Sequence, residues 1–336
     1  MMKFVTFEVR TAIGMVRRIG VLREQNVIDL HAAYASYLRE VRAVHRWREI
    51  AKSLVPADML KFIEGGEMSM EAAYLALEYF EKTGSLEVSQ VREKQSYHLD
   101  EIKLVAPVPR PVSIRDCTAF PRHSMNMRAI NHLPQELPEI WYDIPAHYRT
   151  SSTVVIGPDD PILWPNYTER LDYEMEVAMC TGRYGVNIPE DKVGEYIFGY
   201  TIFNDISARD IQQKEMSLML GPAKGKSFES SNVMGPFLVT QEEIDVGNLK
   251  MTARINGEVW SDGNTRDMHF KFPQLIAYLS KDDPLYPGEF IGSGTVGFGS
   301  GIENKKWLKP GDIIELEVEG IGILRNRVKR RDQAFT

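Results

Sequence analysis

The run Asp172-Tyr173-Glu174-Met175-Glu176-Val177-Ala178-Met179 alternates acidic or small residues with apolar ones. In an extended strand, successive side chains point to opposite faces. Asp172, Glu174, Glu176 and Ala178 then share one face, and Tyr173, Met175, Val177 and Met179 the other. Taken alone, the acidic pair reads most simply as a solvated strand face, because Glu-x-Glu is common. Two carboxylates this close repel unless a cation lies between them. Mg²⁺, Mn²⁺ or Ca²⁺ prefers such oxygen ligands.

Asp205 shifts the balance towards a cation. It follows the apolar run Tyr200-Thr201-Ile202-Phe203 at a strand end, where binding residues are usually mounted. A helix is predicted next, with Ser207 as N-cap and Asp210 three residues on, a capping-box spacing. That cap leaves Asp205 free to point elsewhere. Asn204 and Arg209 are expected to hold the turn and a neighbouring acid, and Gln212, one turn into the helix, to face the same pocket. Gly221 to Phe228 leads into Lys226, placed to neutralise a substrate carboxylate or a developing enolate. Lys224 reads as a surface lysine. The spacing of a phosphate-binding loop is not met.

The remaining chemistry flanks this stretch. His123, after Asp116-Cys117-Thr118-Ala119-Phe120-Pro121-Arg122, is a candidate general base. Residues 131–148, with Pro134, Pro138, Pro145 and several aromatics, suit an ordered lid. Gly292 to Gly301 offers backbone N–H groups and hydroxyls as an anion receptor. Glu303, just beyond, is placed to orient His123. His31 and His45 read as ordinary helix residues rather than ligands.

The chain has 336 residues, 43% of them hydrophobic and 26% charged, and a net charge of −7. These are the proportions of a soluble globular protein. The negative charge argues against nucleic acid or an anionic membrane as partner. An anionic substrate then needs a local cation. Cys117 and Cys180 show no metal-ligand spacing and read as reduced, structural thiols. The N-terminus lacks the apolar core of a signal peptide, and no run reaches the ~20 apolar residues of a membrane span. A cytoplasmic location is expected by elimination.

The predicted class is α+β and β-rich. Residues 1–105 read as a small α+β domain with a packing or capping role. A hairpin is predicted between Lys3–Val9 and Arg18–Leu22, and helices over Asp29–Leu38 and Glu71–Lys82, the latter with Ser69 as N-cap and Gly84 as stop. Ala106-Pro107-Val108-Pro109-Arg110-Pro111 reads as a stiff connector. Residues 106–330 carry many short strands broken by Gly and Pro, with Asn256-Gly257 as a hairpin turn. Residues 331–336 read as a tail.

Jointly, Asp-Tyr-Glu-x-Glu, Asn-Asp-x-Ser-Ala-Arg-Asp-x-Gln, Gly-Lys-Ser-Phe and Ser-Gly-Thr, in this order, resemble the fumarylacetoacetate hydrolase superfamily over roughly residues 105–330. The resemblance implies a mixed β-roll or sandwich catalytic domain, a homodimer, and Mg²⁺ (alternatively Mn²⁺ or Ca²⁺) held by carboxylates. Glu174, Glu176 and Asp205 fall on metal ligands. Lys226 falls on the lysine beside the metal, and His123 on the catalytic histidine, with Glu303 as its partner. Tyr148, Gln212 and Thr295 fall on substrate-binding positions, and Arg128 is counted with them. Ala119 stands where fumarylacetoacetate hydrolase itself has a further acidic ligand, and Pro121 and Met216 where it has tyrosines. This pattern suits the three-carboxylate bacterial branch.

Hydrolysis of a C–C bond in a small anionic 2,4-dioxo acid, of the acylpyruvate or fumarylpyruvate kind, is therefore expected. The alternative is decarboxylation or isomerisation of an oxo-acid from aromatic breakdown at the same metal site. A third reading, an ion-stabilised partner module, would not need Lys226, Gln212 and Thr295.

Overall fold

A computed structural model describes residues 2–12, 14–83 and 94–331. The chain opens with the predicted hairpin, β1 (Lys3–Thr11) and β2 (Gly14–Arg23), followed by β3 (Asn26–Asp29). Four helices come next: α1 (Leu30–Glu40), α2 (Trp47–Leu54), α3 (Met59–Glu64) and α4 (Gly66–Thr83). Asp29 caps α1, accepting from Ala32 N at 3.0 Å. α4 begins at Gly66, ahead of the expected start, so Ser69 is a buried residue inside the helix rather than its cap. The stop expected at Gly84 lies outside the described residues. β4 (Ser96–His98) and β5 (Ile102–Val105) complete this part.

The expected boundary at the prolines does not separate two sheets. β1 pairs antiparallel with β14 (Asn232–Thr240), Lys3 opposite Val239. One twelve-stranded sheet therefore runs through both halves. Its far side holds β6 (Ile114–Cys117), β7 (His147–Thr150), β11 (Met175–Thr181), β12 (Ile197–Asp205) and β17 (Phe290–Gly292), in the order β14-β12-β11-β17-β6-β7. Short pieces lie between: α5 (Pro121–Ile130), β8 (Val155–Ile156), β9 (Ile162–Trp164), β10 (Leu171–Asp172), β13 (Ser207–Ala208) and α6 (Arg209–Met216).

A second sheet is built from β15 (Lys250–Ile255), β16 (Glu258–Asn264), β18 (Ile313–Val318) and β19 (Gly322–Arg330), with β9 at its edge. The β15–β16 turn is the predicted Asn256-Gly257, with φ of 52° and 82°, the left-handed pair a two-residue hairpin requires. α7 (Phe272–Leu279) packs with this sheet. Of the expected tail, Arg331 alone is described, and 332–336 lie outside the described residues.

Two cores follow from the strand alternation. Met175, Val177 and Met179 join residues of β15, β18, β19 and α7 in one core. Ala178 and Cys180, on the other face of β11, join Phe203, Met234 and Phe290 under α1, α3 and α4. The fold is a mixed, sheet-rich α+β architecture, as expected, but the N-terminal helices cover the face of the large sheet that carries the acids.

Candidate active site

Four neighbouring strands build the floor. On the helix-covered face, Ile114, Phe290, Ala178 and Phe203 are buried apolar residues of β6, β17, β11 and β12. Two residues along each strand, towards one common end, stand Asp116, Gly292, Glu176 and Asp205. The register aligns Gly292 with Asp116 and with Ala178, and Glu176 with Phe203. An apolar core thus turns into a carboxylate cluster within one strand repeat. Asp116, Glu176 and Asp205 are all buried, and they offer oxygens lying within 4.8 Å of one another. A Cβ at Gly292 would collide with the Asp116 and Glu176 carboxylates, so only glycine leaves them this room.

The electrostatics of this cluster call for a cation. Asp116 Oδ1 and Asp205 Oδ1 are buried without a hydrogen-bond partner. Burial pushes the Glu176 carboxyl well up, and Asp116 and Asp205 push it further. Burial likewise raises Asp205 and Asp116 despite the nearby Lys226. Orphaned, mutually repelling oxygens of this kind suit a hard divalent ion. The Lys226 ammonium already bridges Glu174 and Asp205. A positive group is therefore the preferred neighbour of these acids, and the buried carboxylate triad can hold a divalent metal.

Glu174 is placed differently from its expected role as a ligand equal to Glu176. It precedes β11 and turns to two cations, Arg209 Nη2 at 2.7 Å and Lys226. Burial raises its carboxyl, but Arg209, Lys226 and His123 outweigh burial and hold it well below the usual range. The third acid beside Glu176 and Asp205 is Asp116, which the sequence reading left unassigned. Its signal was available: a lone acid two residues after Ile114 at a strand end.

Arg209 also binds Asp172, Nε to Oδ2 at 2.9 Å, and donates to Gln212 Oε1 at 3.0 Å. Asp172 accepts from Gly301 N and Ile302 N, so it ties the 292–301 loop to the sheet. Ser207 is not a helix cap. It lies in β13, with Oγ 3.3 Å from Glu174 Oε2, and α6 starts at Arg209 without a side-chain cap. Asp210 instead accepts from Thr168 Oγ1 and Glu169 N.

The His123–Glu303 pair forms as expected, Nδ1 to Oε2 at 2.8 Å. Three further donors fix Glu303: Asn126 Nδ2 at 2.9 Å, Phe298 N at 3.0 Å and Ser300 Oγ at 2.7 Å. Burial raises Glu303, yet His123 and these hydrogen bonds hold it below the usual carboxylate range. The other ring nitrogen of His123, Nε2, lies 3.7 Å from Glu174 Oε1. His123 and the acid cluster therefore face one space.

That space is a cavity of about 1260 Å³ lined by His123, Tyr148, Glu174, Glu176, Gln212, Lys226 and Thr295, among others. Tyr148 OH donates to Asp205. Thr295 Oγ1 donates to Glu176 Oε1 at 3.2 Å and Gly294 N to Glu176 Oε2 at 3.0 Å, so the anion loop here receives the chain's own carboxylate. Arg128, expected among the substrate-binding residues, is placed elsewhere. It is not among the cavity-lining residues, and its Nε donates to Pro134 O at 2.6 Å, pinning the lid's own backbone. The lid is anchored by Trp141, whose ring lies 5.7 Å from His269 and 6.0 Å from Phe270. Among the described residues, no helix is long and apolar enough to cross a membrane.

The fumarylacetoacetate (FAA) hydrolase C-terminal family matches residues 113–329, and the chain belongs to that family. The chain is 35% identical over 237 residues to oxaloacetate tautomerase YisK of Bacillus subtilis, covering 69% of this chain and 75% of that protein. Its fold is similar to 5-carboxymethyl-2-hydroxymuconate delta-isomerase from Mycobacterium smegmatis, at a TM-score of 0.59 and 28% identity, covering 71% of this chain and 84% of that one. It is also similar in fold to maleylpyruvate hydrolase from Sphingobium sp. SYK-6, solved with manganese(II) and pyruvate, at a TM-score of 0.68 and 20% identity, covering 98% and 99%.

Proposed function

We propose that this protein is a divalent-metal-dependent tautomerase that interconverts the keto and enol forms of a 2-oxo acid of the oxaloacetate kind. The observation that carries this reading is a single histidine–glutamate pair facing a buried carboxylate cluster across one cavity. Tautomerisation needs one group to move a proton and a positive environment for the enolate oxygen. The named activities of the YisK protein and of the isomerase lend support, since both reactions shift a double bond.

In this reading, Asp116, Glu176 and Asp205 hold the cation, with Glu174 beside them. Mg²⁺ is our first choice, and Mn²⁺, seen in the maleylpyruvate hydrolase, the next. Such an ion would supply Lewis acidity towards the carboxylate and keto oxygens of a 2-oxo acid. His123 Nε2 takes the proton from the substrate carbon and returns one to the enolate oxygen, while Nδ1 stays bonded to Glu303. Lys226, whose charge the surrounding acids hold in place, offers its ammonium to the developing enolate. Tyr148 and Thr295 orient the acids.

The cavity volume favours a second reading, C–C hydrolysis of a longer 2,4-dioxo acid, with His123 deprotonating water. Decay of the enol of oxaloacetate should be followed by its ultraviolet absorbance with and without protein in Mg²⁺ or Mn²⁺, beside an acylpyruvate assay with product identification. Enol decay unaccelerated under every metal condition would sink the tautomerase reading, and pyruvate release from the acylpyruvate would establish the second.

A further inference from the structure

Four lysine or arginine side chains line the cavity: Arg149, Arg170, Arg209 and Lys226. Three already serve carboxylates. Lys226 bridges Glu174 and Asp205, Arg209 holds Asp172 and Glu174, and Arg149 pairs with Asp283. Arg170 has no carboxylate partner among the described residues. Its guanidinium instead lies over the ring of Trp307, 5.3 Å from the centroid, and Trp307 also lines the cavity.

The backbone around Arg170 is held firmly. Its N–H donates to Thr168 Oγ1 at 3.2 Å, and its carbonyl accepts from Arg209 N at 2.9 Å. It stands two residues before Asp172 and four before Glu174, on the same side of an extended chain, a separation of about 13 Å at the strand rise. Stacking on an indole restrains the guanidinium without using its N–H donors. The result is a restrained guanidinium on the cavity wall whose N–H donors have no carboxylate partner among the described residues.

We propose that Arg170, stacked on Trp307, is a specificity residue that binds the distal carboxylate of an extended 2-oxo dicarboxylic acid. It rests on the 2-oxo-acid reading above. The protein's global charge of −7 disfavours a second substrate carboxylate unless a local cation meets it. A guanidinium fork matches a carboxylate in two parallel hydrogen bonds. This assigns to Arg170 the reading of the substrate's far end that Arg128, turned into the lid, does not reach.

The test is calorimetric binding of two probes to the full chain loaded with Mn²⁺: 2-oxoadipate, and 2-oxohexanoate, which has the same head and length but no distal carboxylate. The wild-type chain should bind the diacid at least tenfold more tightly. Arg170→Gln should weaken the diacid about tenfold and leave the monoacid unchanged, and Arg170→Lys should recover part of the loss. Arg170 is exposed, so its replacement leaves the folded core intact. Equal affinity of the wild type for both probes, or equal weakening of both by Arg170→Gln, would overturn the assignment of Arg170 alone. Failure of the wild type to bind either probe would overturn the 2-oxo-acid reading and this proposal with it.

Discussion

Gly292 and Asp116 face each other across the parallel pair β17–β6, and the missing Cβ of Gly292 is the space the Asp116 carboxylate occupies. Gly292→Ala should push Asp116 and Glu176 off their present positions. Overpacking of this kind costs about 1–3 kcal/mol. Mn²⁺ affinity, read by calorimetry, should fall at least tenfold. Unchanged affinity in a folded variant would show that Asp116 is not part of the metal site.

Chelation should destabilise the protein, because Asp116, Glu176 and Asp205 then repel with no divalent ion among them. Restoring Mg²⁺ or Mn²⁺ at about 100 times Kd should return about 2.7 kcal/mol. Thermal melts with and without chelator check this. A melting temperature indifferent to metal would argue against a divalent ion at this cluster.

His123→Ala removes the proposed proton carrier and leaves the Asp116, Glu176 and Asp205 triad itself unchanged. Turnover of the favoured substrate should drop about 100- to 10 000-fold, while Mn²⁺ affinity stays within threefold of wild type, about 0.7 kcal/mol. Loss of metal along with activity would instead make His123 a structural support of Glu174.

Glu303 should leave a signature in the acid limb of stability. Its folded value lies below the ordinary 4.5, so the unfolded chain binds the proton more strongly than the native one. Its contribution is complete above about pH 4.5 and is lost as pH falls through the lower folded value. Glu303→Gln should therefore be less stable than wild type at pH 7, with the gap narrowing below about pH 4.5. Denaturant melts across that range test it, and a gap constant with pH would contradict the pairing with His123.

Arg209 is buried between Asp172 and Glu174, and these acids push its already high value further up despite burial. Arg209→Met removes the cation shared by two buried carboxylates, leaving Glu174 to Lys226 and Asp172 to backbone donors, a loss of about 3–5 kcal/mol. A smaller loss in urea unfolding would mean that these acids take up protons or water in its place.

Much of the site was legible because strand alternation is a local rule. The common face of Asp172, Glu174 and Glu176, and the strand-end position of Asp205, follow from two-residue periodicity alone. Pairing His123 with Glu303 joined a candidate base to an acid beyond the glycine-rich loop, and the resemblance supported it, since no local pattern links residues so far apart. Ser207 misled because a serine before a helical run reads as a cap, whereas its hydroxyl is drawn to Glu174 by tertiary structure. Glu174 and Asp116 exchanged prominence for a similar reason: which acid two buried cations claim depends on packing. The prolines at 107–111 broke local structure as expected, but nothing local announces that β1 will find β14.

That union carries a consequence for how the molecule is made. β1 must wait for β14, since Lys3 pairs with Val239. Contacts this distant in sequence slow folding. A chain severed at the prolines would free one edge of β14 and uncover Ala178, Phe203 and Phe290, directly beneath the acids. Open edges and bare apolar faces invite aggregation. The part from 106 to 331 is therefore not a portable module: the apolar face beneath its acids is closed by helices from the other half of the fold.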